Sequence, residues 1–341
     1  MRTAIYGAGA MGTVLGAFLA RAGHAVDLFT RNEAHVAALN ARGAHIAGKE
    51  NFVQPVRAFL PSQMEGEYDL VFLMTKQRGN AETAAFLRGH LREDGAVCTC
   101  QNGLPEPALA AVLGADRVLG CAVAWGATYR GPGECEITSE AGARTFALGA
   151  YGAGARLGDA AALLGCMGPV RIEEDLSGAR WSKLLINCAF SGLSAALGLT
   201  FGQIAEDKQT RRIAHKLMQE CAAAGRAAGV RFAPVQGHRV DRLFGPRGPL
   251  GRAVAFRLIP AAMKKHAALR SGMLRDLEEG RRCEIGFICG AVCRAAEKNG
   301  LRVPFNERTV EIVHGIEEGK YAIGRENAAL YEDLFGGRKR G

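Results

Sequence analysis

The 341-residue chain is poor in aromatic side chains, which make up 7% of it and include only two tryptophans. No uninterrupted apolar run approaches the ~20 residues that a membrane-crossing helix needs, so no membrane partner is expected. The N-terminal "MRTAIYGAGAMG" lacks the charged-then-apolar layout of a secretory signal. Ten cysteines are present without a pair of C-x-x-C motifs. They lie mostly in apolar segments such as "AVCTC" and "INCAF", which reads as buried free thiols in a reducing cytoplasm rather than a zinc or disulfide framework. None of the eight histidines shows metal-ligand spacing and there is no G-x-S-x-G elbow. No metal site is expected, and nothing suggests serine hydrolysis.

What is present suits an ordinary two-domain globular protein, with 48% hydrophobic and 23% charged residues. The net charge of +9 arises from 43 Lys and Arg against 34 Asp and Glu. Much of it lies between Arg239 and Arg282 and in the C-terminal "GGRKRG". That balance favours anionic small molecules. Nucleic acid is not the expected partner, because no helix-turn-helix, zinc-finger or RNP-type signature accompanies the charge.

Along the chain, "RTAIY" (2–6) is a short β-run leading into "GAGAMG". In the stretch that follows, Met11, Val14, Leu15, Phe18 and Leu19 recur at helical spacing until Gly23. "AVDLFT" then makes a second strand and completes a βαβ unit. The apolar runs 68–75 and 95–103 alternate with helix-like "NAETAAFLRGHL", as a doubly wound parallel sheet requires. From Val118 to Ala150 the Gly-rich, β-prone texture suggests antiparallel strands at the sheet edge. Beyond Leu176, helical segments are expected over 178–198, 208–228, 252–270, 273–299 and 306–318. The fold class is therefore α/β: an N-terminal Rossmann-type doubly wound sheet over 1–174 and a mostly α-helical domain over 175–330. The basic tail, 331–341, is expected to be disordered.

Gly7, Gly9 and Gly12 form G-x-G-x-x-G directly between a strand and a helix. The first permits a tight turn, the second lets backbone approach a pyrophosphate, and the third allows close helix–strand packing. Gly7, Ala8, Gly9, Ala10, Met11 and Gly12 are accordingly expected to hold a dinucleotide. After the second strand, where an acidic residue would meet a free ribose hydroxyl, stand Thr30 and Arg31. A guanidinium there pairs with a 2′-phosphate, which favours NADP(H) over NAD(H). The same residue could equally be a solvated loop charge. Lys76 and Asn102 follow apolar strands at their carboxyl ends, where ligands bind in open α/β sheets. A surface lysine and a simple Asn-Gly turn would look the same.

In "WSKLLINCAFS" (181–191), Lys183, Asn187 and Ser191 fall at i, i+4 and i+8 on a helix otherwise apolar. Such a lysine either snorkels to solvent or faces a polar cavity, where desolvation moves its pKa toward the range of a general acid. Glu284 stands between Cys283 and the apolar run Ile285, Phe287, Ile288 and Val292. A buried carboxylate needs a partner, which could be a catalytic lysine or a structural ion pair.

Together these features resemble the ketopantoate reductase (2-dehydropantoate 2-reductase) family over nearly the whole chain. The matching stretches are "GAGAMG", Arg31, "TKQ" with Lys76, "QNG" with Asn102, "WSKLLINCAFSGLSA", and "MLRDLEEGRRCEIGFICG" with Glu284. The resemblance implies a cytoplasmic enzyme of pantothenate biosynthesis in which NADPH reduces a small-molecule 2-oxo acid. Lys183 and Glu284 would be catalytic, and Asn102, Asn187, Ser191 and Ser271 would hold substrate. Lys76, Asn102, Ala127 and Glu284 would touch the cofactor, Ala127 through "WGAT". A homodimer is left open as the assembly. The chain departs from the family pattern at Ser191, Gly272, Gly286 and Cys289, changes that together remove several polar groups expected on the substrate side. The 236–270 stretch is also longer and more basic. Two other readings stand beside this one: a 3-hydroxyacid or opine-type dehydrogenase, and a non-catalytic NADPH-binding sensor.

Overall fold

Continuous apolar runs such as 68–75 point to a sheet covered on both faces, and the computed structural model builds one. It describes residues 1–235, 237–245 and 248–336, in two compact units, Met1–Leu176 and Ser177–Gly341. In the first unit the strands are β1 (Thr3–Tyr6), β2 (Val26–Phe29), β3 (Ala44–Gly48), β4 (Phe52–Gln54), β5 (Arg57–Phe59) and β6 (Tyr68–Leu73). They continue with β7 (Leu91–Thr99), β8 (Val118–Val123), β9 (Ala127–Gly131), β10 (Glu134–Ile137), β11 (Phe146–Ala150) and β12 (Val170–Ile172). The helices are α1 (Ala10–Arg21), α2 (Glu33–Arg42), α3 (Asn80–Arg88), α4 (Glu106–Leu113) and α5 (Leu157–Gly165).

The main sheet runs β12-β11-β8-β7-β6-β1-β2-β5. Strands β5 through β8 are mutually parallel, and β11 pairs antiparallel with β8. Chain order reverses between β1 and β6, which makes the carboxyl ends of those strands the switch point of the sheet. Along β6, Leu70 and Phe72 enter the core on one face while Val71 and Leu73 pack with Leu87 of α3 and Leu109 of α4 on the other. With both faces buried, the strand reads as a continuous apolar run.

The expected edge strands between Val118 and Ala150 divide. Only β8 and β11 belong to the main sheet, whereas β9 and β10 join β3 and β4 in a second sheet of order β4-β3-β10-β9. This sheet packs against α1. Its strands are short and partly exposed, so sequence alternation gave little warning of it.

The second unit is helical: α6 (Leu176–Ile186, beginning at the boundary), α7 (Gly192–Leu197), α8 (Phe201–Glu206), α9 (Lys208–Ala227) and α10 (Val240–Leu243). The remaining helices are α11 (Pro249–Met263), α12 (Gly272–Glu278), α13 (Cys289–Lys298) and α14 (Pro304–Glu317). Asp207 caps α9 by accepting from the Gln209 and Thr210 amides at 3.1 and 2.9 Å. Glu220 in α9 accepts from the Phe305 and Asn306 amides at 3.0 and 2.9 Å, holding the N-terminus of α14.

Two expectations need correction. The segment 273–299 is not one helix: α12 ends at Glu278, and the chain turns through Gly280 (φ +69°), a conformation that glycine adopts without strain. The C-terminal tail does not begin at 331, because a 3-10 stretch covers Arg325–Phe335. Within it Tyr331 is fully buried, and its hydroxyl bonds Thr309 at 2.8 Å. Residues 337–341 lie outside the described residues, as do Gln236, Pro246 and Arg247 of the basic stretch. Among the described residues no helix is long and apolar enough to cross a membrane.

Three buried groups give stability a defined pH dependence. Burial lowers His35 and His215 from 6.5 to about 4, so each contributes stability that is present above pH 6.5 and lost as pH falls toward 4. Burial raises Glu220 from 4.5 to about 7, so its contribution has the opposite sign and is lost as pH rises through that range. The two histidines outweigh the glutamate. The denaturation midpoint is expected to rise from pH 4 to 6.5, and Glu220→Ala should steepen that rise; a flat profile would contradict the assignment.

Candidate active-site residues

In the first unit, register brings the expected cofactor residues to one edge of the sheet. Tyr6 aligns with Phe29 on one side and Leu73 on the other, and Leu73 aligns with Thr99. The loops carrying Gly7–Gly12, Thr30–Arg31, Lys76 and Asn102 therefore leave neighbouring strands at the same level. Gly7 has φ +107°, and a Cβ there would lie 2.5 Å from the Thr75 amide nitrogen and 2.7 Å from the Met74 carbonyl carbon. At Gly12 a Cβ would strike the Gly7 carbonyl oxygen, whereas at Gly9 it would meet nothing within 4 Å. The first and third glycines are thus required by packing, and the second leaves an open approach.

Both loop amides before Gly9 are tied down, since Gly7 and Ala8 donate to the Phe29 carbonyl at 2.9 and 2.8 Å. Intrahelical bonding starts with the Thr13 amide donating to the Gly9 carbonyl at 2.9 Å. No side chain caps α1 and no acidic residue sits in its first turn. The amides of Ala10, Met11 and Gly12 are left for an anion, at the positive end of the helix dipole. Arg31 is exposed two residues past β2. Its charge reaches the Tyr6 phenol, where it opposes the upward pKa shift that burial causes. Lys76 and Asn102 are also exposed, while Ala127 is half-buried at the start of β9.

A buried amide network that sequence reading missed holds the two neighbouring loops. Gln101 and Asn80 exchange side-chain hydrogen bonds at 2.8 and 3.1 Å, and Thr99 donates to Gln101 at 2.9 Å. Gln101 also donates to the Thr75 hydroxyl at 3.3 Å, and the Gln77 amide donates to the Asn102 carbonyl. The loop with Lys76 and the loop with Asn102 are thereby fixed to each other. The signal was the glutamine in "TKQ" and in "QNG", polar residues placed directly after buried strands.

In the second unit, Lys183, Asn187 and Ser191 lie on one continuous rod that carries a local change of pitch. Helix α6 passes into a π turn at Asn187–Ser191 and resumes as α7. In a regular α-helix eight residues overshoot two turns by about 80°. A π turn advances less per residue, so Ser191 swings back toward the line of Lys183; such turns recur at functional sites. The opposite face of α6 is locked down. The Ser182 hydroxyl donates to the Ala233 carbonyl at 2.7 Å, the Ala233 amide donates to Gly178 at 3.2 Å, and Trp181 meets Phe232 edge-on. Lys183 and Asn187 are half-buried on the remaining side.

Glu284 lies in the turn before a 3-10 segment, half-buried rather than on a long helix. Glu317 anchors this turn through the Cys283 amide at 2.7 Å and is itself bonded to His314 at 2.9 Å. The segment that follows this turn packs beside the start of α7: a Cβ on Gly192 would lie 3.8 Å from Ile285 and 3.0 Å from the Cys289 sulfur. Cys289 is fully buried and donates to the Cys188 carbonyl at 3.7 Å. At that departure from the family pattern the side chain is therefore enclosed beside the π turn. Ser271 is buried as the N-cap of α12, accepting from the Leu274 amide at 3.0 Å. Its hydroxyl oxygen thus spends one lone pair on the cap of α12. Gly272 and Gly286 border open space, where a Cβ would meet nothing within 4 Å. Among the described residues no cluster of His, Cys, Asp and Glu is arranged to hold a metal.

Comparison with known proteins agrees with this division. Residues 3–151 match the family described as ketopantoate reductase PanE/ApbA, and residues 175–317 match its C-terminal domain. The 2-dehydropantoate 2-reductase of Mesorhizobium japonicum is 29% identical over 352 residues, spanning 94% of this chain and all of its own length. A PanE/ApbA family ketopantoate reductase from Ralstonia eutropha JMP134 superposes with a TM-score of 0.78 at 28% identity, covering 94% of this chain and 99% of the other. D-mandelate dehydrogenase, solved as a ternary structure with NADH and anilino(oxo)acetate, shares the fold with a TM-score of 0.80 at 21% identity over 94% of this chain and 99% of its own.

Proposed function

The chain belongs to the ketopantoate reductase family of oxidoreductases, and from that premise we propose that it reduces a 2-oxo acid with NADPH, most simply 2-dehydropantoate to pantoate. The first unit would bind the cofactor. Its free helix amides and the open approach at Gly9 suit a pyrophosphate, and Arg31 suits a 2′-phosphate. A bound NADPH supplies hydride to the carbonyl carbon of the acid. Lys183 donates its proton to the oxygen as charge builds there, and its cationic charge favours the same transition state. Asn187 would hydrogen-bond the substrate, and Glu284 would orient the lysine and bind substrate. Lys76 and Asn102 would border the nicotinamide end of the cofactor, together with Ala127.

One observation carries most of this reading: a half-buried lysine and asparagine lead into a π turn whose Cys188 carbonyl accepts from Cys289, five residues past Glu284. A second substrate reading is favoured by the open space at Gly272 and Gly286, which would admit a 2-oxo acid with a larger apolar group. Following NADPH oxidation with ketopantoate, other 2-oxo acids, and 2-oxo acid plus amine pairs separates the possibilities. Fastest turnover is expected with ketopantoate or a bulkier 2-oxo acid. Turnover that requires an amine would instead identify an opine-type enzyme, and NADPH binding without any turnover would identify a sensor.

A further inference from the structure

A histidine outside the proposed chemistry is wired into the glycine loop. His35 in α2 is 1% exposed. Its Nδ1 accepts the Gly133 amide at 2.9 Å, in the turn between β9 and β10. Its Nε2 lies 2.9 Å from the Thr13 hydroxyl on α1. A backbone amide can only donate, so Nδ1 carries no proton and the neutral ring holds its hydrogen on Nε2. Thr13 therefore accepts from His35; burial keeps the Cys135 thiol that also bonds Thr13 protonated, so it too donates to the Thr13 oxygen, and the Thr13 hydrogen is directed to the Ala8 carbonyl at 3.3 Å. The low pKa that burial imposes keeps the ring in this neutral form.

We propose that His35 is a positioning residue for the dinucleotide: through the Thr13 hydroxyl it fixes the Ala8–Gly9 peptide plane and so aims the helix-opening amides at the cofactor. That plane is held at both ends, its carbonyl by Thr13 and its Gly9 amide by the Gly7 carbonyl at 2.8 Å. The same ring packs edge-on against Tyr129 at 5.1 Å, and the Tyr129 hydroxyl accepts from Asn32, the neighbour of Arg31. One buried side chain thus links the pyrophosphate loop, the loop assigned to the 2′-phosphate, and the second sheet. The inference rests on the nicotinamide-cofactor reading above.

The test is fluorescence titration of NADPH into wild type, Thr13→Val, Thr13→Ser and His35→Asn, with steady-state kinetics and thermal unfolding alongside. The asparagine keeps an acceptor for the Gly133 amide but loses both the Thr13 bond and the ring contact with Tyr129, whereas Thr13→Val leaves the ring in place and cuts the link to the loop. Thr13→Val and His35→Asn are each expected to raise the NADPH Kd and KM roughly tenfold with kcat at saturation little changed. Thr13→Ser keeps the hydroxyl and should bind like wild type. If either cut variant unfolds, the other decides. A folded variant with wild-type Kd, even at lowered Tm, overturns the proposal, as does a serine variant as weak as valine. Failure of wild type itself to bind NADPH would instead overturn the cofactor reading, and this inference with it.

Discussion

Lys183→Ala is expected to lower kcat by about 10²- to 10⁴-fold, the range usual for loss of a positioned general acid. Hydride addition leaves negative charge on the substrate oxygen, and on the proposed mechanism that charge loses its proton donor and its cation with Lys183. The helix carrying it is held by contacts on the other face, through Ser182, Trp181 and Gly178. Truncating a half-buried lysine side chain should therefore leave the fold intact and NADPH affinity unchanged. Lys183→Arg divides the effect, because arginine keeps the charge but does not release a proton. Its kcat should stay well below wild type if proton transfer dominates and recover substantially if charge alone suffices. Wild-type kcat in Lys183→Ala would remove the lysine from the chemistry and revive the sensor reading.

Arg31→Ala should change coenzyme choice. A charge-assisted pair with phosphate contributes about 1.5–3 kcal/mol, so kcat/KM with NADPH should fall roughly tenfold to a hundredfold. NADH has no 2′-phosphate and should lose little. Arg31 is exposed just past β2, so its removal should cost little folding stability and the comparison is clean. Equal losses with both coenzymes would mean that Arg31 supports the loop generally, and no loss with either would make it a solvated charge.

Much of the first unit was legible because its physics is local. The βαβ start, the three glycines and the apolar strands 68–75 and 95–103 each follow from spacing, and Gly7 and Gly12 prove sterically required. The second sheet was not legible, since β3, β4, β9 and β10 are short and meet only through pairing distant in sequence. In the helical unit, "LRDLEEGRRCE" carries good helix formers on both sides of Gly280. Nothing in that pattern requires the turn there, which is what sets Glu284 off a helix.

The π turn was equally hidden, because "NCAFS" is compatible with an ordinary helix and its contact with Cys289 joins residues about a hundred positions apart. The buried polar links were the least visible. Thr13, His35, Asn80 and Gln101 look like routine polar residues until the fold encloses them. Tyr331 shows the converse, since a charged neighbourhood concealed an aromatic anchor that extends the ordered chain.

The central claim is that this chain moves hydride from a reduced nicotinamide to the carbonyl carbon of a 2-oxo acid, with Lys183 supplying the proton. The most direct measurement is mass spectrometry of the product formed from ketopantoate and NADPH deuterated at the transferable position. The account predicts a 2-hydroxy acid carrying deuterium at C2, formed by wild type and almost absent with Lys183→Ala. Product without deuterium, or deuterium transfer undiminished by Lys183→Ala, would contradict it.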